Sequence, residues 1–124
     1  MIYQRKYPMK PIPQLTPSES KRFWSAIEQP SAQACWQWSG PTSSSSGFVY
    51  GVFAICREGT KTFVKPHRVA WHSIMGSIDH QLTIDHTCEN KLCMNPLHME
   101  QVTSAVNSQR MYERRRQRAA ASVS

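Results

Sequence analysis

Asp85-His86-Thr87-Cys88-Glu89-Asn90-Lys91-Leu92-Cys93-Met94-Asn95-Pro96-Leu97-His98 holds two cysteines, two histidines, an aspartate and two asparagines in fourteen residues. Few loops need so many metal-capable groups so close together. The spacing Cys88-x4-Cys93-x4-His98 suits three corners of a tetrahedral zinc site, because Zn²⁺ takes thiolate and imidazole ligands from tight turns. Asp85 and His86 precede the first cysteine and are left over. A zinc staple with a spare Asp-His pair beside it suggests a structural metal propping up a separate catalytic site.

Outward from that stretch, the chain has 124 residues, which fits one domain with short tails. Apolar residues make up 40%, enough for a modest core to which a metal staple would contribute. No apolar run reaches the length of a membrane span. Met1 to Pro8 has basic residues but no apolar segment after them, unlike a secretory signal. These features point to a reducing, cytoplasmic setting, where thiols bind metals rather than pair. Fifteen basic against eight acidic residues give a formal charge of +7, which attracts polyanions. Nucleic acid is the leading partner class. A membrane surface would want a basic helix with a strong apolar face, which is the weaker reading.

The chain divides into an extended proline-rich arm over 1–15, a domain over 16–118 and a disordered tail over 119–124. Thr16-Pro17-Ser18-Glu19 predicts a helix start with a capping box, running to about Gln29. Cys35 to Trp38 reads as a strand, and Pro41 to Gly47 as a flexible polar loop. Phe48 to Cys56 reads as one strand, returning after a turn over 57–60 as a second, Lys61 to Val64. Pro66 opens a second helix that Gly76 closes. Leu82-Thr83-Ile84 is a short strand leading into Asp85. Thr103 caps a last helix carrying Asn107 and a cluster of arginines. The fold class is α+β.

Zinc wants a fourth ligand. Cys35, Cys56, His67 and His72 are candidates, and spacing favours Cys35; Cys56 sits in an apolar strand where a free thiol behaves as a small hydrophobe. The Asp-His pair at a strand end points its side chains to opposite faces. Asp85 and Asn107 offer hard oxygen ligands suited to Mg²⁺ or Mn²⁺, and His86 a general base. That set fits phosphodiester hydrolysis.

Asp85-His86, Asn95, His98 and Asn107, interlaced with Cys88 and Cys93, resemble the HNH and His-Cys box endonucleases of the ββα-metal group. The likeness is closest to small zinc-stapled members from phages and mobile introns, and it spans about Cys35 to Arg110, with its core about 82–112. It implies that His86 is the base, that Asp85 and Asn107 hold one catalytic ion, and that Asn95 braces the loop carrying the base. It also implies that Cys35 completes a zinc site of three cysteines and one histidine. Many HNH sites carry His where Asn107 stands.

The partner expected is double-stranded DNA. Arg57, Lys61, Lys65 and Arg68 lie on or beside the central strands, and a β-ribbon can enter the major groove. By loose alignment Lys61 would face the scissile phosphate, with Arg57 or Arg68 as rivals. Arg110, Arg114, Arg115 and Arg116, with Arg118, would contact phosphates without sequence preference. A cut through both strands would want two copies, hence a homodimer. The rivals are a zinc-stabilised DNA-binding protein without catalysis and a protein-interaction zinc module, which would leave the arginine cluster unexplained.

Overall fold

The computed structural model describes residues 11–45, 47–79 and 81–123. Most of the expected N-terminal arm, residues 1–10, lies outside them; residues 11–15 have no regular structure. Among the described residues the fold is a small α+β arrangement of three α-helices and four two-stranded antiparallel sheets.

Helix α1 spans Pro17–Ser25. The Thr16 hydroxyl accepts from the Glu19 amide at 3.2 Å and the Glu19 carboxylate accepts from the Thr16 amide at 2.8 Å, so two orphan donors of the first turn are satisfied reciprocally. The helix stops short of the expected Gln29. Ile27–Glu28 leaves it to form β1, paired with β2, Gln37–Trp38, so that Ile27 faces Trp38. Phe23 is fully buried and meets Phe53 edge-to-face, ring centroids 5.3 Å apart. With Trp38, Ile55, Val69, Ala70 and Met94 these residues make the main core.

Two expectations for the central segment need correction. The serine-rich stretch read as a flexible loop contains strand β3, Thr42–Ser45, paired with β4, Phe48–Gly51. Every β3 residue is exposed, so backbone pairing rather than burial holds it. The single strand expected from Phe48 to Cys56 is broken. Gly51 lies so close under Trp38 that a Cβ there would sit 2.8 Å from the ring, and the Val52 amide donates to the Pro41 carbonyl at 2.9 Å. Strand β5, Phe53–Arg57, then pairs with β6, Thr60–Val64, through a two-residue turn. Glu58 and Gly59 both take positive φ, 50° and 78°, which matches the twist of a tight hairpin.

Helix α2 spans Pro66–Met75, opened by its proline and closed by Gly76 at φ 99°. Strand β7, Thr83–His86, pairs with β8, Met99–Val102, placing Asp85 opposite Glu100 and His86 opposite Met99. Between them runs the Cys/His loop, ending in one 3-10 turn, Pro96–His98. The Thr103 hydroxyl accepts from the Val106 amide at 3.1 Å at the start of α3, Ser104–Val123. Strand–loop–strand–helix is thus the order of the C-terminal part. Helix α3 continues to Val123, where residues 119–124 had been expected to be disordered. None of the helices described is long and apolar enough to cross a membrane.

Candidate functional site

The cysteine loop is tied to β2 by its backbone. Trp38 donates to the Leu92 carbonyl at 2.8 Å, Met94 donates to the Trp36 carbonyl at 2.7 Å, and Gln37 bridges Cys93. This pairing carries Cys35 to Cys88, Cys93 and His98, whose ligand atoms all lie within 4.8 Å of one another. His98 Nδ1 stands 3.4 Å from the Cys35 sulfur and 3.5 Å from that of Cys93. Zinc–sulfur and zinc–nitrogen bonds at tetrahedral angles require about 3.6 Å between such atoms. His98 Nε2 donates to the Gln33 carbonyl at 2.8 Å, which leaves the Nδ1 lone pair facing the thiols. Burial pushes the Cys88 thiol up to about 12 and raises Cys93. Burial also opposes ionisation of Cys35, yet hydrogen bonds from His98 and the two other cysteines bring its pKa below the ordinary value. Three crowded sulfurs lacking a countercharge are what a Zn²⁺ ion would satisfy, and the donors fit it. Cys56 is exposed and, like His67 and His72, outside this cluster.

Asn95 is fully buried in the same wall. Its amide nitrogen donates to the Ala32 and Ala34 carbonyls at 2.9 and 2.8 Å, and its oxygen accepts from the Leu97 amide at 3.0 Å. It therefore ties the approach to Cys35 onto the 3-10 turn.

Asp85, His86 and Asn107 line one cleft of about 350 Å³, with Tyr50, Lys65, His67 and Lys91 also in its walls. His86 is buried, and its Nε2 lies 3.1 Å from the Cys93 carbonyl. A carbonyl only accepts, so Nε2 carries the proton and Nδ1 is the basic nitrogen. Burial, then the charge of Lys91, lowers the His86 pKa to about 4, so the ring is neutral at pH 7. The His67 ring packs against it at 4.8 Å and is held neutral chiefly by burial, then by His86 and Lys65.

Asp85 has its own cations. Arg114 grips both carboxylate oxygens at 3.0 Å and Arg110 adds a third contact at 3.0 Å. Burial would raise this carboxyl, but Arg114 and then Arg110 hold it below the usual range. Arg110 also reaches Glu100 at 3.2 Å, and Arg114 reaches Glu89 at 3.8 Å. These two arginines, read from sequence as phosphate contacts, turn inward.

The basic residues of the central hairpin are dispersed. Arg57 pairs with Glu19 at 2.7 Å and donates to the Gln14 carbonyl at 2.6 Å. Arg68 is 2% exposed. Lys61 stands over the Phe63 ring at 5.8 Å and is not in the wall of the Asp85–His86 cleft. Lys65 does line that cleft. Arg115 lies over the Phe48 ring at 5.5 Å and Arg116 over Tyr112 at 5.8 Å. Sequence reasoning missed Lys91, Phe48 and His67 as cleft residues. Lys91 lies in plain view within the cysteine loop; His67 reads from sequence only as a candidate zinc ligand, and nothing local marks Phe48, which reaches the cleft from elsewhere in the chain.

Residues 64–109 match the family described as HNH endonuclease. Cys35 lies outside the matched segment. Protein 2.8 of Escherichia phage T7 is 33% identical over 85 residues, which are 68% of this chain and 54% of that protein. The chain thus spans about half the length of this curated relative. No solved structure matches significantly. The HNH resemblance carried by Asp85, His86, Asn95 and Asn107 therefore holds over residues 64–109.

Proposed function

We propose that this chain is a metal-dependent DNA endonuclease of the HNH type. The observation that carries the reading is the meeting of Asp85, His86 and Asn107 in one cleft beside the three-cysteine, one-histidine cluster. Asp85 and Asn107 offer oxygens to one Mg²⁺ or Mn²⁺ ion; bound there, it would offset charge building on the phosphate and leaving oxygen. His86 takes the proton of the attacking water on Nδ1, because Nε2–H is committed to Cys93. Asn95 and the zinc donors Cys35, Cys88, Cys93 and His98 position this apparatus without touching substrate. The substrate is double-stranded DNA in the cytoplasm of a bacterial host, a setting suggested by the phage relative. Cleavage of both strands would take two copies of so small a chain.

One observation favours a second reading, a zinc-stabilised DNA-binding protein without catalysis. Arg110 and Arg114 already satisfy Asp85, so the carboxylate has a role with no metal. Supercoiled plasmid incubated with Mg²⁺ or with EDTA, beside His86→Ala, separates the two. Nicked or linear product that requires both Mg²⁺ and His86 supports the nuclease. Equal nicking by His86→Ala overturns the assignment of the base, and DNA binding with no cleavage supports the second reading.

A further inference from the structure

Beside the Asp85–His86 cleft lies a second one of about 280 Å³, lined by Val49, Glu89, Met111, Arg114, Arg115 and Arg118 among others. Phe48, His86 and Lys91 stand in the walls of both, so the two clefts adjoin at the candidate base. Three separate elements meet at the junction: β4 through Phe48, the cysteine loop through Lys91, and α3 through Arg115. The Lys91 ammonium sits 4.8 Å from the Phe48 ring centroid and the Arg115 guanidinium 5.5 Å from it.

Two cations thus lie against one aromatic ring. Arg110 and Arg114 on the same helix are neutralised by Asp85, Glu100 and Glu89. Among the described residues, neither Lys91 nor Arg115 makes an ion pair within 4.0 Å. The uncompensated positive charge of the two clefts therefore concentrates at this junction, with Arg118 beyond it. A ring quadrupole holds cations weakly at a solvated site and gives them up to phosphate oxygens.

We infer that Phe48, Lys91 and Arg115 form a clamp for the DNA backbone, seating a phosphate next to the one that is cut. The inference rests on the nuclease reading above and deepens it by naming the substrate contact. Lys91 and Arg115 take the phosphate from the two sides, and Phe48 supplies the apolar shelf for the adjoining sugar. Such contacts fix register on the duplex and carry no sequence preference. The clamp also replaces the expectation that Lys61 on the hairpin would meet the backbone near the cut.

Binding of duplex DNA by zinc-loaded protein, measured by fluorescence anisotropy across a salt series in the His86→Ala background, tests it. Lys91→Gln and Arg115→Gln should each weaken binding about tenfold near 0.1 M salt and lower the slope of log K against log salt by about one. Phe48→Ala should weaken binding while leaving that slope unchanged. Lys21→Gln, on the exposed face of α1, removes the same charge and should do neither. Zinc content and melting temperature equal to the parent show that the variants are folded. Folded Lys91→Gln and Arg115→Gln proteins with parental affinity and slope overturn the clamp alone, provided that the parent with His86 intact cuts DNA in Mg²⁺. A parent that neither binds nor cuts duplex overturns the nuclease reading and the clamp with it.

Discussion

Replacing Asp85 by Asn should lower stability as well as abolish cleavage. The Asp85 side chain is 5% exposed and receives three charge-assisted contacts of 3.0 Å from Arg114 and Arg110. Removing one partner of a buried ion pair costs roughly 3–5 kcal/mol. Two features reduce the figure here. Asn keeps the volume and one acceptor, and the arginine side chains, 20% and 31% exposed, can turn to water, Glu89 and Glu100. We therefore expect a loss of about 2–3 kcal/mol, or roughly 6–10 °C in melting temperature for a domain of this size. The assay is thermal unfolding of zinc-loaded protein in Mg²⁺-free buffer, followed by circular dichroism. A carboxylate kept only to await a metal would be a site of repulsion, and its loss would be neutral or stabilising. An Asp85→Asn variant that melts at or above the parent refutes the structural weight given to the arginines. The same geometry predicts that Mn²⁺ must displace Arg114 to reach Asp85. Mn²⁺ affinity, read by paramagnetic resonance without DNA, should therefore rise in Arg114→Met.

Three further outcomes follow from the fold. Cys93→Ser removes a fully buried thiol of the cluster that could hold zinc. Since structural zinc is worth about 10–16 kcal/mol in small peptide domains and a whole domain has about 5–15, the variant should lose both zinc and its cooperative melt; a native-like melt without zinc counts against the staple. Asn95→Ala strands the Ala32 and Ala34 carbonyls and should cost about 2–3 kcal/mol. Zinc release to a chromogenic chelator should quicken because Cys35 is loosened, and an unchanged release rate would show that Asn95 does not hold that segment. Glu19 is held to about 2, first by Arg57 and then by the Thr16 amide, against an ordinary value of 4.5. Its folded-state pKa is depressed, so its contribution is complete above pH 4.5 and disappears as pH falls toward 2. The stability advantage over Glu19→Gln, compared at matched pH so that zinc loss cancels, should shrink through that window; an advantage constant from pH 6 to pH 3 contradicts the pairing.

Local chemistry made part of this legible from sequence. Thr16, Pro17 and Glu19 announce α1 because a capping box is satisfied within four residues. Pro66 and Gly76 bracket α2 for similar reasons. The cysteine loop is legible because metal ligands from one turn must be close in sequence. What sequence reading lost was decided by long-range pairing. Strand β3 is four exposed Thr and Ser residues whose only reason to be extended is the partner strand opposite. Strand β8 follows the 3-10 turn directly, and it is the fold that buries its Met99 and Val102. The destination of a charged side chain was the least legible feature. Arg114 and Arg115 are neighbours in one arginine run, and only the fold pairs the first with Asp85 and lays the second over the Phe48 ring.

That division bears on why the zinc cluster and the candidate base share fourteen residues. His86 Nε2 is anchored by the carbonyl of Cys93, and the sulfur of Cys93 belongs to the zinc cluster. A hydrogen bond to a flexible loop would let the imidazole rotate and exchange tautomers. A zinc ion held by Cys93 would restrain that carbonyl, and with it the tautomer that leaves Nδ1 as the basic nitrogen. Beside His86 on β7, Asp85 is fixed by two arginines from α3. Neighbouring residues on one strand are thus immobilised by unrelated means, a metal turn on one side and a cationic helix on the other. A loop of four residues between two cysteines is short enough to serve both purposes. It closes the zinc site, and it carries Lys91 into the walls of both clefts beside His86.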